Sequence, residues 1–209
     1  MAQRRGITNV AYLKLIVTGP FNAGKTALIN TVNEIRGVNT EVNTDVGRHV
    51  KRQTTVAMDF GRVTLPSGPS LHLVGTPGQK RFAFMWETLI LECNGILMLV
   101  DSSDRGRFAD AGQMFDFFAA RANGVPMFVV ANKQDLPGAL SPGEVGQALK
   151  LVGPGQAGRQ VALLPFPGCV AHDRISVLSV LEAIAPYLAG GHTVRYPMYN
   201  KPGGAARIK

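Results

Sequence analysis

Short apolar runs alternate with amphipathic stretches along most of this chain. Tyr12-Leu13-Lys14-Leu15-Ile16-Val17 reads as a strand, and Gly19–Gly24 punctuates it. From Lys25 to Ile35 the apolar positions Leu28, Ile29, Val32 and Ile35 recur at helical spacing. Residues 36–53 are polar and irregular and read as a long loop. Thr55–Leu65 and Ser70–Val74 suit a hairpin turned by Pro66-Ser67-Gly68-Pro69. Gly95–Val100 and Val125–Ala131 have the short, β-branched or aromatic character of buried strands. Helical spacing marks 80–92, 107–122, 142–151 and 176–188. Strands alternating with helices predict an α/β domain, a mainly parallel sheet covered by helices on both faces. In such sheets ligands sit at the carboxyl ends of the strands, so chemistry is expected in the loops that follow them.

Composition narrows the class. Hydrophobic residues are 45% and charged residues 17% of the 209, as expected of one folded domain and not of a disordered chain. The longest apolar runs, such as Ile96-Leu97-Met98-Leu99-Val100, fall far short of the roughly 20 residues of a membrane span. Residues 1–10 lack the apolar stretch of a secretion signal. Two cysteines, Cys93 and Cys169, supply neither a disulfide framework nor a zinc site. Together these features predict a cytoplasmic protein.

The net charge is +8, but it is concentrated at the ends. Arg4 and Arg5 lie in a short basic extension (1–10); Arg195, Lys201, Arg207 and Lys209 lie in a Gly/Pro-containing tail (190–209). The domain between them, 11–189, is nearly neutral, so no nucleic-acid-binding face is indicated. The basic ends suit at most a peripheral contact with anionic lipid or an acidic partner, and simple solvation of charged tails explains them equally well.

The loop after the first strand carries the strongest signal. Gly19-Pro20-Phe21-Asn22-Ala23-Gly24-Lys25-Thr26 matches G-x-x-x-x-G-K-[ST] between a predicted strand and a predicted helix. In that setting the backbone of Gly19, Asn22, Ala23, Gly24, Lys25, Thr26 and Ala27 wraps phosphate with N–H donors, aided by the helix N-terminus. Lys25 would reach the β- and γ-phosphates, and the Thr26 hydroxyl would ligate Mg²⁺. ATPases, metabolite kinases and GTPases all remain open at this point.

A second motif separates them. Asn132-Lys133-Gln134-Asp135 is N-K-x-D at the end of a predicted strand. The Asp135 carboxylate can accept from the N1–H and exocyclic amine of guanine, a donor pair that adenine lacks. Asn132 can brace the loop, and the stem of Lys133 can lie over the purine. GTP and GDP become the expected ligands.

With these residues in place, the chain resembles the small Ras-like GTPases over about residues 11–189, which implies their three-layer α/β G domain with a six-stranded, mostly parallel sheet and helices on both faces. Thr54-Thr55-Val56-Ala57-Met58-Asp59-Phe60-Gly61 and Gly75-Thr76-Pro77-Gly78-Gln79-Lys80-Arg81-Phe82 are most similar to a bacterial and archaeal branch. That branch includes the gliding-motility GTPase MglA and the GTP-binding proteins of actinobacterial conservons. The resemblance implies that Thr55 joins Mg²⁺ and senses the γ-phosphate, that Gly78 offers it a second N–H, and that Gln79 orients the attacking water. It implies that the backbone N–H of Ala171, in Cys169-Val170-Ala171, meets guanine O6. It also implies a roadblock-fold regulator among the partners.

Two departures limit what the resemblance carries. The D-x-x-G that normally opens the second switch begins here with Gly75, so the carboxylate that holds a Mg²⁺-bound water is missing; Asp59 could compensate. Phe21 replaces a small residue near the γ-phosphate and could obstruct a partner's arginine, while Arg48, Lys51 or Arg52 could supply a cation in cis. The expected function is a GTP/GDP switch with slow hydrolysis. A non-hydrolysing guanine-nucleotide scaffold is the alternative, and a metabolite kinase, which needs no N-K-x-D, comes third.

Overall fold

The computed structural model describes residues 12–35, 58–122, 124–151, 161–162 and 168–188. Six strands form one sheet: β1 (Tyr12–Thr18), β2 (Phe60–Thr64), β3 (Ser70–Gly75), β4 (Gly95–Asp101), β5 (Met127–Asn132) and β6 (Val161–Ala162). Their order is β2-β3-β1-β4-β5-β6, and only β2, antiparallel to β3, departs from parallel pairing. The predicted three-layer architecture is therefore present, with helices α1 (Lys25–Val32), α2 (Ala83–Ile90), α3 (Phe108–Arg121), α4 (Pro142–Ala148) and α5 (Arg174–Leu188).

Alternation of side chains along the strands splits the core into two layers. Leu15, Val17, Leu71, Leu73, Leu97 and Leu99 face α1 and α5, where Leu28, Ile29, Val32, Val177, Leu181 and Ile184 bury them. Ile16, Ile96, Met98 and Val100 face the other way, onto Trp86 of α2 and Met114, Phe115 and Phe118 of α3. With both faces covered, β4 and β5 are buried at every position, which is why they read as unbroken apolar runs. Among the described residues no helix is long and apolar enough to cross a membrane.

Several boundaries differ from the sequence reading for local reasons. The first helix ends at Val32, three residues early, because Asn33 turns to extended backbone and its Oδ1 accepts from the N–H groups of Ile35 and Arg62. The last helix starts at Arg174, two residues early, where the Asp173 carboxylate accepts from Ile175 N–H. The fourth is shorter than expected, and its start is fixed by a reciprocal Ser141–Glu144 capping box with Pro142 at the first position. Thr55, the 36–53 loop and both basic ends lie outside the described residues.

The strand order places the site. Strand β1 lies between β3 and β4, so successive connections leave it in opposite directions, and the loop following β1 lies at that crevice. The loops after β3 and β5 open at the same carboxyl end.

Candidate functional site

The loop between β1 and α1 folds as a phosphate cradle requires. Gly19 (φ 141) and Gly24 (φ 99) sit in backbone regions that disfavour side chains; a Cβ on Gly19 would strike Leu99 O, and one on Gly24 would strike Asn132 Nδ2. Asn22 also has positive φ (66°), which asparagine tolerates. Helix α1 then begins at Lys25 with no side-chain cap and no acid in its first turn. The uncapped N–H groups of that turn, Thr26 and Ala27 among them, are suited to an anion.

Lys25 is buried, and its Nζ donates to Gly19 O (2.8 Å) and Pro20 O (2.7 Å). Burial lowers its pKa to about 8, against the opposing pull of the Asp59 carboxylate. A cation held out of water beside the loop is poised to gain from phosphate charge.

Thr26 Oγ1 donates to Asp59 Oδ2 at 2.6 Å. Asp59 lies just before β2, and Gly75 at the end of β3 donates its N–H to Asp59 O (2.8 Å). A Cβ built on Gly75 would fall 3.0 Å from Asp59 Cβ and 3.3 Å from Asp59 Oδ2. The Asp59 carboxylate thus occupies the space that an aspartate at position 75 would use, and reaches the hydroxyl expected to bind the metal. Among the described residues no cluster of three His, Cys, Asp or Glu could hold a cation by itself.

Gly78 packs directly on the loop. A Cβ there would lie 2.7 Å from both Lys25 Nζ and Phe21 N, and 2.8 Å from the Pro20 carbonyl carbon, so no other residue permits this approach. Gln79 is exposed and begins a short turn, its carbonyl accepting from Phe82 N–H (3.0 Å). The Phe21 ring is 55% exposed and lies under the Arg107 guanidinium, 5.8 Å from the ring centroid. It is engaged by the turn before α3. Thr55, Arg48, Lys51 and Arg52 are outside the described residues, so the first switch is not placed.

The end of β5 supplies the second half of the site. Asn132 is fully buried; its Nδ2 donates to Ala23 O (2.8 Å), and its Oδ1 accepts from Ala171 N–H (3.0 Å). One amide therefore ties the phosphate loop to the 168–173 loop, which is also pinned by Cys169 N–H to Ala131 O (2.7 Å). The Ala171 N–H expected at guanine O6 is engaged by Asn132 here, so a base carbonyl would share it. Lys133 has positive φ (64°), and its Nζ pairs with Asp101 Oδ2 at 2.7 Å. Burial alone would raise the Asp101 pKa, but hydrogen bonds from Lys133 and Ser103, with the Lys133 charge, hold it below the usual carboxylate value. Asp135 is partly exposed, with His172 Nε2 3.8 Å from its Oδ2.

Asp101 and His172 were not singled out from sequence. An acid ending the apolar run Ile96–Val100 was a usable signal for the first; a histidine following Ala171 was a weak one for the second.

A model of the ADP-ribosylation factor family, Arf, matches residues 6–172. The chain belongs to the ADP-ribosylation factor family. This Arf-family protein is a small GTPase, a GTP-binding molecular switch that hydrolyses GTP. It is 26% identical over 143 residues to ADP-ribosylation factor-like protein 6 of Caenorhabditis briggsae, covering 66% of this chain and 70% of that protein. It is 30% identical to ADP-ribosylation factor-like protein 2 of Drosophila melanogaster over 142 residues, 66% and 70% of the two chains. Against ADP-ribosylation factor-like protein 3 of Saccharomyces cerevisiae the match spans 187 residues at 26% identity, 88% of this chain and 90% of that one. The fold is similar to that of the Arl6 BBS3 small GTPase from Trypanosoma brucei, solved with the bound nucleotide analogue GppNp. The TM-score is 0.61 at 20% identity, over 86% of this Arf-family chain and 98% of that one. The Ras-like superfamily expected from the motifs therefore holds, while these relatives are eukaryotic Arf-like proteins and not the bacterial branch that the switch segments resemble.

Proposed function

We propose that the cleft between the 19–27 loop and the 132–135 and 169–172 loops binds GTP and GDP with Mg²⁺ and hydrolyses GTP slowly. One observation carries the reading: the buried Asn132 side chain joins Ala23 of the phosphate loop to Ala171 of the base loop, so phosphate and base elements form one cleft. Asp135 reads the N1–H and 2-amine edge of guanine, and the stem of Lys133, held by Asp101, covers the ring. Uncapped N–H groups of α1 and the Lys25 ammonium hold the phosphates.

The metal site fits a hard cation. Thr26 would supply a hydroxyl, Thr55 is proposed as its counterpart from the first switch, and Asp59 would stand in beside the ion for the carboxylate missing at Gly75. When bound, Mg²⁺ neutralises charge between the β- and γ-phosphates. Gly78 offers an N–H to the γ-phosphate and Gln79 orients the attacking water. With Gln79 positioning water while Gly75 and Phe21 leave the site incomplete, turnover on the order of 10⁻⁴–10⁻² s⁻¹ is expected.

The resemblance of the 54–61 and 75–82 segments to the bacterial and archaeal branch supports a signalling role with a roadblock-fold regulator as partner. Two cysteines without a disulfide framework support a cytoplasmic protein, and the basic ends at most a peripheral lipid contact. The direct test is competition binding with GTP, GDP and ATP in Mg²⁺, followed by single-turnover phosphate release. Displacement of GDP by ATP as well as by GTP would sink the guanine assignment, and release at the uncatalysed rate would remove hydrolysis from it.

A further inference from the structure

Guanine recognition rests on the plane of the Asp135 carboxylate, and little in the fold fixes that plane. The donors around it are committed elsewhere. Lys133 Nζ is on Asp101, Gln134 Nε2 donates to Ser102 Oγ and Leu140 O (both 2.8 Å), and Asn132 Nδ2 is on Ala23 O. Across the cleft, Val170 and Ala171 bring no side-chain donor, and the Asp173 carboxylate caps α5 through Ile175 N–H. Ser176 Oγ lies on Val170 N–H. On the facing loop, His172 Nε2 lies 3.8 Å from Asp135 Oδ2.

We propose that His172 is a positioning residue for guanine specificity, its ring nitrogen setting the orientation in which Asp135 accepts from both N1–H and the 2-amine. The proposal rests on the guanine reading of Asp135. A carboxylate reads two donors at once only in one plane, and a side chain 36% exposed is otherwise free to rotate out of it. The imidazole is 73% exposed, so a small rotation closes 3.8 Å to a hydrogen bond without disturbing the core. That bond would restrict the carboxylate before the base arrives, which is where preorganisation adds affinity.

The experiment compares GDP with IDP, which keeps N1–H and O6 but lacks the 2-amine, by titration calorimetry in Mg²⁺. Wild type should prefer GDP. His172→Ala should reduce the GDP/IDP preference about two- to tenfold, the worth of one hydrogen bond, with a smaller loss for IDP, which keeps only the N1–H contact to Asp135. His172→Gln, which restores a side-chain N–H donor, should recover most of the preference. Equal loss of GDP and IDP affinity in His172→Ala would show a merely structural role and overturn the proposal. So would an unchanged preference, or a His172→Gln that behaves like the alanine variant. Wild type binding ADP as tightly as GDP would instead overturn the guanine assignment of Asp135, and the proposal with it.

Discussion

The exchange of a carboxylate between two neighbouring strand ends gives the sharpest test of the metal site. Asp59→Ala removes the acceptor of a 2.6 Å bond from Thr26 Oγ1. A charge-assisted O–H···O⁻ bond of that length is worth about 1.5–3 kcal/mol. Independently, losing an outer partner of a metal site costs about 10–100-fold in affinity, or about 1.4–2.7 kcal/mol. The two magnitudes agree, so Mg²⁺ affinity of the GDP complex should fall within that range. Gly75→Asp alone should not help, because its Cβ would lie 3.0 Å from Asp59 Cβ and from Ile29 Cδ1. It would also set two carboxylates side by side, and their repulsion of up to about 4 kcal/mol at an effective dielectric of 20 is only partly screened at this half-buried site. Combining Gly75→Asp with Asp59→Gly puts one carboxylate back in nearly the same space, and most of the lost affinity should return. The assay is release of a fluorescent GDP while free Mg²⁺ is lowered with chelator, with a thermal melt of each variant beside it. An Asp59→Ala protein with wild-type Mg²⁺ dependence would refute the reasoning, as would a double variant that folds but binds Mg²⁺ no better than Asp59→Ala.

Lys25, with its pKa near 8 before phosphate arrives, makes nucleotide binding take up a proton above that pH, because phosphate oxygens favour the ammonium. GDP affinity should be level below about pH 7 and fall towards tenfold per unit above pH 8; calorimetry showing a level profile to pH 9.5 would contradict this. Asp101→Asn takes the partner from Lys133 (2.7 Å) and should cost about 1.5–3 kcal/mol, read as a lower Tm together with weaker GDP binding. Because the Asp101 pKa is depressed, this stabilisation is present above the ordinary aspartate pKa and is lost only as pH falls through the lower folded value, so the two proteins should converge in acid and nowhere else. Gln79→Leu should slow single-turnover hydrolysis about tenfold or more while GTP affinity stays within about twofold; an unchanged rate would take Gln79 out of the mechanism.

Local signals carried what was readable in the chain. The strand, glycine loop and helix from Tyr12 to Val32 are contiguous, so their order is their geometry, and Asn132-Lys133-Gln134-Asp135 follows a strand buried along its whole length. The helix-covered sheet was legible because β1, β4 and β5 carry short apolar runs, as strands buried on both faces do. What escaped depends on pairing between distant segments. The sequence offers Asp59 as a substitute for the missing acid, but its meeting with Thr26 and Gly75 depends on the antiparallel register in which Phe60 lies opposite Val74. Lys133 reaches Asp101 only because β4 and β5 pair Asp101 with Asn132. Nor does a residue list show that the Phe21 ring, feared as an obstruction at the γ-phosphate, lies under Arg107.

The seat of Gly78 against residues 20, 21 and 25 has a mechanical consequence. A spot with no room for a methyl group has none for any larger group, so a phosphate that reached that spot beside Lys25 would have to displace this glycine. The neighbouring residue cannot yield alone, since Pro77 O holds Trp86 Nε1 at 2.8 Å and Trp86 is packed among the α3 aromatics Phe117 and Phe118. Thr76 in turn is latched to Thr18 (2.9 Å) at the end of β1. With Thr76 held to β1 on one side and Pro77 held to α2 on the other, any displacement of Gly78 would be carried to that helix, and so to a surface that a partner could read without touching the loop.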